Sequence, residues 1–358
     1  MIQRGLAALL VAGALAASPA TAPAASAGPT PRQTPRTSWG RPDLSGVWTN
    51  ATLTRLERDP KLGDRPSLSP AEAAAIEGRE AAHVARQSAP TDPAAKVTDL
   101  AEGCRDNTGV NCGYNVGWTD PGSTVMRVRG EPRASLLTVP SNGRIPAYRD
   151  GRRPALRRGG SGEGGPADNP EQRALGERCI LAFGTPSGPV MTSQLYNNNY
   201  QFLLTRDALV IVVEMVHDAR VIRLDRKAHL PASIRPWMGD SIGWWEGDTL
   251  VAETTNFNPG QAFRGADENL KVTERFTRTA KDHVFYQFRV EDPTVWAEPW
   301  GGEYEFSPQK GQVYEYACHE GNYALEGILA GARADEAKGG AADAYRNSPR
   351  STASPITR

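Results

Sequence analysis

One acidic residue interrupts the apolar run Leu209-Val210-Ile211-Val212-Val213-Glu214-Met215-Val216, and it is the residue best suited to chemistry. A run of this kind predicts a strand, where a charge is unexpected on either face. A carboxylate held there loses water, which raises its pKa toward neutrality and fits it for general acid/base work. The competing reading is structural: a carboxylate paired with an arginine, or one pointing to solvent from a half-exposed strand. His217 and Asp218 follow at the predicted strand end, where a histidine beside a carboxylate serves as a general base or simply bonds the backbone. Strand alternation puts residues three apart on opposite faces, so Glu214 and His217 stand as independent candidates.

His319 directly follows Cys318 and completes the catalytic set Glu214, His217 and His319. If Cys318 is bridged, His319 sits on a covalently pinned segment, which is the preorganisation a catalytic histidine needs. With His229, which precedes Leu230-Pro231, the histidines His217, His229 and His319 form the one conceivable zinc set, although their spacing gives it no support. No cofactor is expected otherwise. Tyr196, Asn198, Trp237, Trp245, Trp296 and Trp300 crowd the same half of the chain and would suit the wall of a pocket for a ring-shaped or sugar-like ligand. Their other reading is as core or turn anchors. A Gly-x-Ser-x-Gly elbow, a phosphate-cradling loop, a dinucleotide fingerprint and a haem Cys-x-x-Cys-His are all absent from the sequence, which disfavours a serine hydrolase and nucleotide chemistry.

The elements that must position these residues begin with an export signal. Met1 to Arg4 is a short positive start, Leu6 to Ala17 an uncharged apolar run, and Ala25-Ser26-Ala27 a small-residue site. Residues 1–27 therefore read as a signal peptide and predict a periplasmic or extracellular protein. The run is shorter than the roughly 20 residues a bilayer span requires. The chain holds 41 basic and 41 acidic residues, which argues against a dedicated nucleic-acid or anionic-membrane surface and leaves a small molecule as the expected partner. Export permits disulfides: Cys104 and Cys112 bracket a turn-rich loop and are assigned to each other, leaving Cys179 for Cys318, although four cysteines allow three pairings. The lack of any Cys-x-x-Cys speaks against a cysteine zinc site.

Residues 28–41 read as a disordered leader, 42–337 as a single β-rich domain, 149–170 as a flexible loop rich in Arg and Gly, and 338–358 as a disordered tail. Ser69 as N-cap with Pro70 at the first helical position opens a peripheral helix that runs to Gln87. Strands are expected within Val125 to Val139 and at Tyr200 to Leu204, Leu209 to Val216, Val221 to Leu224, Gly243 to Trp245, Thr249 to Thr255, Val272 to Arg278, Val284 to Val290 and Val313 to Ala317. Turn pairs such as Arg206-Asp207, Gly247-Asp248 and Lys281-Asp282 separate them. Consecutive short strands without intervening helices predict a mainly β fold, an antiparallel up-and-down barrel or a sandwich. From Asn322 to Ala337, Leu325, Ile328 and Leu329 share one face of a C-terminal helix packed outside the sheet.

Leu44-Ser45-Gly46-Val47-Trp48 is similar to the Gly-x-Trp start of lipocalin-type barrels. Glu214-Met215-Val216-His217-Asp218, Trp245-Glu246-Gly247-Asp248-Thr249-Leu250-Val251 and Cys318-His319-Glu320-Gly321-Asn322 together resemble a family of exported bacterial proteins. That resemblance implies export and one domain, and carries over no catalytic residue. The expected function is an exported enzyme, a lyase, isomerase or hydrolase, acting on a small or medium-sized organic molecule in an aromatic-lined barrel pocket. The alternatives are a non-catalytic lipocalin-like carrier of an apolar ligand and a structural envelope protein.

Overall fold

Along Lys271–Ala280, Val272, Glu274 and Phe276 are buried and the residues between them are not. His283–Glu291 repeats the period with Tyr286, Phe288 and Val290, and Trp300–Pro308 with Trp300, Tyr304 and Phe306. Period-two burial turns one face of each strand to a common interior, and in this computed structural model that interior is a closed barrel. The structure describes residues 34–88, 90, 94, 119–149, 167–182, 188–261 and 263–338. The signal peptide, residues 28–33 of the leader, Cys104 and Cys112, most of the 149–170 loop and nearly all of the tail lie outside the described residues. The described residues belong to one compact unit, Gln33–Arg358.

The strands are β1 (Gly46–Thr49), β2 (Arg127–Val128), β3 (Glu131–Pro132), β4 (Leu137–Val139), β5 (Asn199–Leu204), β6 (Ala208–Val213), β7 (Ala219–Arg223), β8 (Asp240–Glu246), β9 (Thr249–Thr255), β10 (Lys271–Ala280), β11 (His283–Glu291) and β12 (Trp300–Pro308). β1 pairs with both β5 and β12, closing a ring of nine strands, while β4 adds to β12 from outside and β2 with β3 forms a separate hairpin. The sandwich alternative falls away. A closed ring of nine cannot alternate direction at every junction, because alternation around a ring needs an even number. The odd junction is β7 with β8, which is parallel, with Ile222 opposite Ser241. A parallel pair needs a long return connection, and residues 224–239, which carry His229 and Trp237, supply it.

Register sorts the interior into rows. Ser241, Thr254, Val272, Val290 and Trp300 form one, and Trp245, Leu250, Phe276, Tyr286 and Tyr304 another, four residues further along β8. Rings fill the space between strands, with centroids of Tyr286 and Tyr304 4.9 Å apart and of Phe202 and Phe306 5.3 Å apart.

One strand lies outside the expected set and one expected strand does not form, each for a local reason. β12, absent from the expected strands, opens Pro299-Trp300-Gly301-Gly302, where a Cβ at Gly301 would stand 2.3 Å from the Phe288 carbonyl oxygen and one at Gly302 2.2 Å from that of Leu136. The glycines let β11 and the β4 segment close on both sides of the strand. Val313 to Ala317 is not a strand: the Gln309 amide makes a last bond to the Val47 carbonyl, at 2.9 Å, and beyond it the chain has left the barrel wall.

Order also starts earlier than residue 42. Arg36 pairs with Asp248 at 2.5 Å, and the Arg41 guanidinium lies 5.3 Å from the Trp245 ring, so residues 34–41 are fastened to the β8–β9 turn. Helix α1 (Pro70–Gln87) opens with the reciprocal Ser69–Glu72 capping box and buries only Ala73. Helix α2 (Tyr323–Ala337) leaves Leu325, Ile328 and Leu329 half-buried and buries Ala332, and Arg333 anchors it to the Ala167 and Asp168 carbonyls at 3.2 and 3.1 Å. Cys179 and Cys318 form a disulfide, with Cα atoms 5.7 Å apart.

Candidate functional site

The apolar run does not continue as a strand to Val216. β6 stops at Val213, whose amide bonds the Asp218 carbonyl at 2.8 Å, and residues 215–217 make a tight turn. Met215 and Val216 bury their side chains against the core instead of extending the ladder. The turn is strained: Val216 has φ 60° and ψ 17°, and His217 has φ 45°. A β-branched residue in the left-handed region is a true outlier, and each such residue costs about 1–3 kcal/mol, a burden that clusters at functional sites.

This turn places Glu214 under cover, 7% exposed, with its amide bonded to the Asn199 carbonyl at 3.0 Å. The Asn199 side-chain NH2 donates to Glu214 Oε2 at 2.8 Å. Burial pushes the Glu214 carboxyl above its ordinary pKa; hydrogen bonds from Asn199 and Asn197 pull it down less, and the like charge of Asp120 adds to the rise. Asn199 is itself buried, and its Oδ1 has no hydrogen-bond partner. Buried acceptors are rarely left unmet, so a perturbed carboxyl, an orphan acceptor and a strained turn coincide at the end of β6 and the start of β5.

The other predicted residues do not gather there. The turn brings the His217 amide to the Glu214 carbonyl at 3.3 Å, but the His217 side chain is exposed whereas Glu214 is buried. His319 is exposed beside the disulfide. His229 is engaged elsewhere, with Nδ1 2.9 Å from Asp240 Oδ2 and Nε2 3.3 Å from Glu253 Oε1. The set His217, His229 and His319 is therefore not assembled, and among the described residues no group of three or more His, Cys, Asp or Glu is placed to hold a metal ion. Trp296 and Trp300 are buried and edge-on to each other, centroids 5.5 Å apart, while Trp237 is exposed on the 224–239 crossover and Trp245 and Tyr196 are half-buried. Asn198 fastens loops: it accepts from the Gln194 amide at 2.7 Å and donates to the Asp120 and Gln194 carbonyls at 2.7 and 2.9 Å.

Sequence reasoning missed a polar network inside the barrel. Arg220 and Glu274, 2% and 0% exposed, form a two-pronged ion pair, Nη1 to Oε1 at 3.0 Å and Nη2 to Oε2. Arg220 also donates to Thr254 Oγ1 at 3.0 Å and Ser241 Oγ at 3.3 Å, and the Tyr286 hydroxyl donates to Glu274 at 2.7 Å. The available signal is parity, since Glu274 shares the inward register of Val272 and Phe276, and Arg220 that of Ile222. The groups of this network satisfy one another, which marks it as structural, whereas the Glu214 site keeps an open acceptor. Burial raises the phenols of Tyr200, Tyr286 and Tyr304, so they stay neutral.

On the outer wall, Asp240 accepts from Arg223 at 2.7 Å, from the Leu230 amide at 2.9 Å and from His229, pinning the crossover to β8. Burial raises the Asp240 carboxyl, but these donors outweigh it and its pKa is lowered. Glu253 is lowered likewise: burial is outweighed by Lys271, 2.5 Å away, together with His229. Among the described residues, Glu214 is the carboxyl that its surroundings raise, with burial the main cause, and that direction suits a general acid/base. Comparison with known proteins finds no matching protein-family model, no similar curated protein and no similar solved structure.

Proposed function

We propose that the chain is an exported enzyme that transfers a proton on a small organic molecule, with Glu214 as its general acid/base. The reading rests on one observation: a buried carboxyl raised by desolvation beside the unpartnered Asn199 Oδ1, on a turn whose backbone is strained. Proton transfer of this kind serves a lyase, isomerase or hydrolase. The signal-like residues 1–27 and the Cys179–Cys318 disulfide support export. An apolar-ligand carrier is less favoured, because the barrel interior holds the Arg220–Glu274 ion pair among packed rings.

The test is incubation of the purified protein with a pooled library of small metabolites, followed by mass spectrometry. Turnover is expected in the wild type and in the variants His217→Ala and His319→Ala, whose side chains lie outside the site, and is expected to be lost in folded Glu214→Gln. Turnover that survives Glu214→Gln refutes the role of this carboxyl.

A further inference from the structure

Glu214 lacks the partner a buried carboxylate requires. Buried charges are paired or neutralised, yet its side-chain hydrogen bonds come from the neutral amides of Asn199 and Asn197, and the charge acting on it is the like charge of Asp120. Among the described residues, no Lys or Arg forms an ion pair with it. The Asn199 amide adds a second vacancy, since its Nδ2 touches Glu214 while its Oδ1, on the same planar group, accepts from nothing. The hydrogen-bonded pair thus carries two acceptors, one a carboxylate and one a neutral amide oxygen, and among the described residues neither meets a cationic donor.

We propose that this site takes a small organic amine in its ammonium form, bound between Glu214 and Asn199 Oδ1. The inference rests on the Glu214 site described above and names the class of molecule it holds. An ammonium group carries three donors and a compact positive charge, so it meets both vacancies at once. A neutral alcohol supplies one donor and leaves the charge unpaired, and an anion is repelled by Glu214 and Asp120. Calcium is a poorer fit, because one carboxylate and one amide oxygen fall far short of its usual 6–8 oxygen ligands.

Calorimetric titration with benzylammonium, with benzyl alcohol as its neutral isostere and with calcium chloride, tests the assignment. At pH 8 the amine is expected to bind at least tenfold more tightly than the alcohol, with calcium no competitor, and Glu214→Gln to weaken the amine at least tenfold. Equal binding of alcohol and amine, displacement of the amine by calcium, or an amine affinity unchanged in Glu214→Gln overturns it. A second measurement needs no variant. Benzylammonium stays charged from pH 8 to 4, so its affinity for the wild type is expected to fall as Glu214 takes up a proton. Among the described residues, Asp120, the Tyr200 phenol and His217 are the other titratable groups about this carboxyl, and none of them gains negative charge on acidification. A flat profile refutes the site. Amine binding without turnover overturns the enzyme reading alone; turnover of neutral compounds without amine binding overturns this inference alone.

Discussion

Replacing Glu274 by leucine removes the acid from the centre of the barrel and leaves Arg220, 2% exposed, without a counter-charge. A carboxyl can neutralise itself by taking a proton, whereas a guanidinium cannot. Glu274→Leu therefore strands a charge, and it also deprives the Tyr286 hydroxyl of its acceptor. Breaking a buried pair from one side costs about 3–5 kcal/mol, which at roughly 2–4 °C per kcal/mol for a large domain lowers Tm by roughly 6–20 °C. Arg220→Met is expected to cost less, because the remaining carboxyl keeps the Tyr286 donor and can protonate. The double variant Arg220→Met/Glu274→Leu swaps both charges for apolar groups, and exchanges of that kind are often neutral or stabilising. It is therefore expected to be more stable than Glu274→Leu alone. Urea denaturation of all four proteins, followed by tryptophan fluorescence and closed as a double-mutant cycle, gives the coupling directly. A cost below about 1 kcal/mol for Glu274→Leu, the size of a solvent-exposed pair, would show that water reaches the pair and that the interior is not dry.

The raised Glu214 carboxyl sets a pH dependence of definite sign. The folded state holds this proton more tightly than the unfolded chain, so the stability it contributes is full below the unfolded value of about 4.3 and is lost as pH rises through the folded one. Glu214→Gln removes that loss, so its urea midpoint should exceed the wild type's at pH 7 and not at pH 4; a lower midpoint at pH 7 contradicts the desolvation argument. Asp240 and Glu253 act in the opposite sense, being stabilising above the unfolded carboxylate range and losing that contribution as pH falls. Asp240→Asn should accordingly speed amide exchange across residues 224–239 at neutral pH, and unchanged protection there shows that the Arg223–Asp240–His229 contacts do not hold the crossover. Gly302→Ala would bring a Cβ to 2.2 Å from the Leu136 carbonyl oxygen. It should destabilise by about 1–3 kcal/mol or more, and a Tm equal to the wild type's would mean that β4 is free to move away. Cys318→Ser opens a long loop and is expected to cost about 2–4 kcal/mol, read by thermal melts with and without reductant.

Local chemistry was legible from the sequence wherever neighbours along the chain decide the outcome. Ser69-Pro70 set the start of α1, the pairs Gly247-Asp248 and Lys281-Asp282 joined the hairpins, and Leu325, Ile328 and Leu329 marked the half-buried face of α2. The oddity of Glu214 could be seen too, because a charge in an apolar run stands out without any fold. Its surroundings could not be seen. The run leaves the ladder after Val213 only because Met215 and Val216 find core to pack against, and Asn199, its hydrogen-bond partner, comes from the neighbouring strand.

What the sequence by itself determined is the β class, the capped helix α1, the C-terminal helix α2 and one suspicious carboxyl, all governed by periodicity and by contacts a few residues apart. Only the tertiary structure decided that the strands close into a ring of nine, that the parallel junction such a ring requires falls between β7 and β8, and that Gly301-Gly302 lies inside a strand. It alone placed Arg220 against Glu274 and drew His229 away from the other histidines to Asp240 and Glu253. Each of these depends on which strand ends up beside which. That is set by burying a shared interior across long stretches of chain, and no window of sequence contains it.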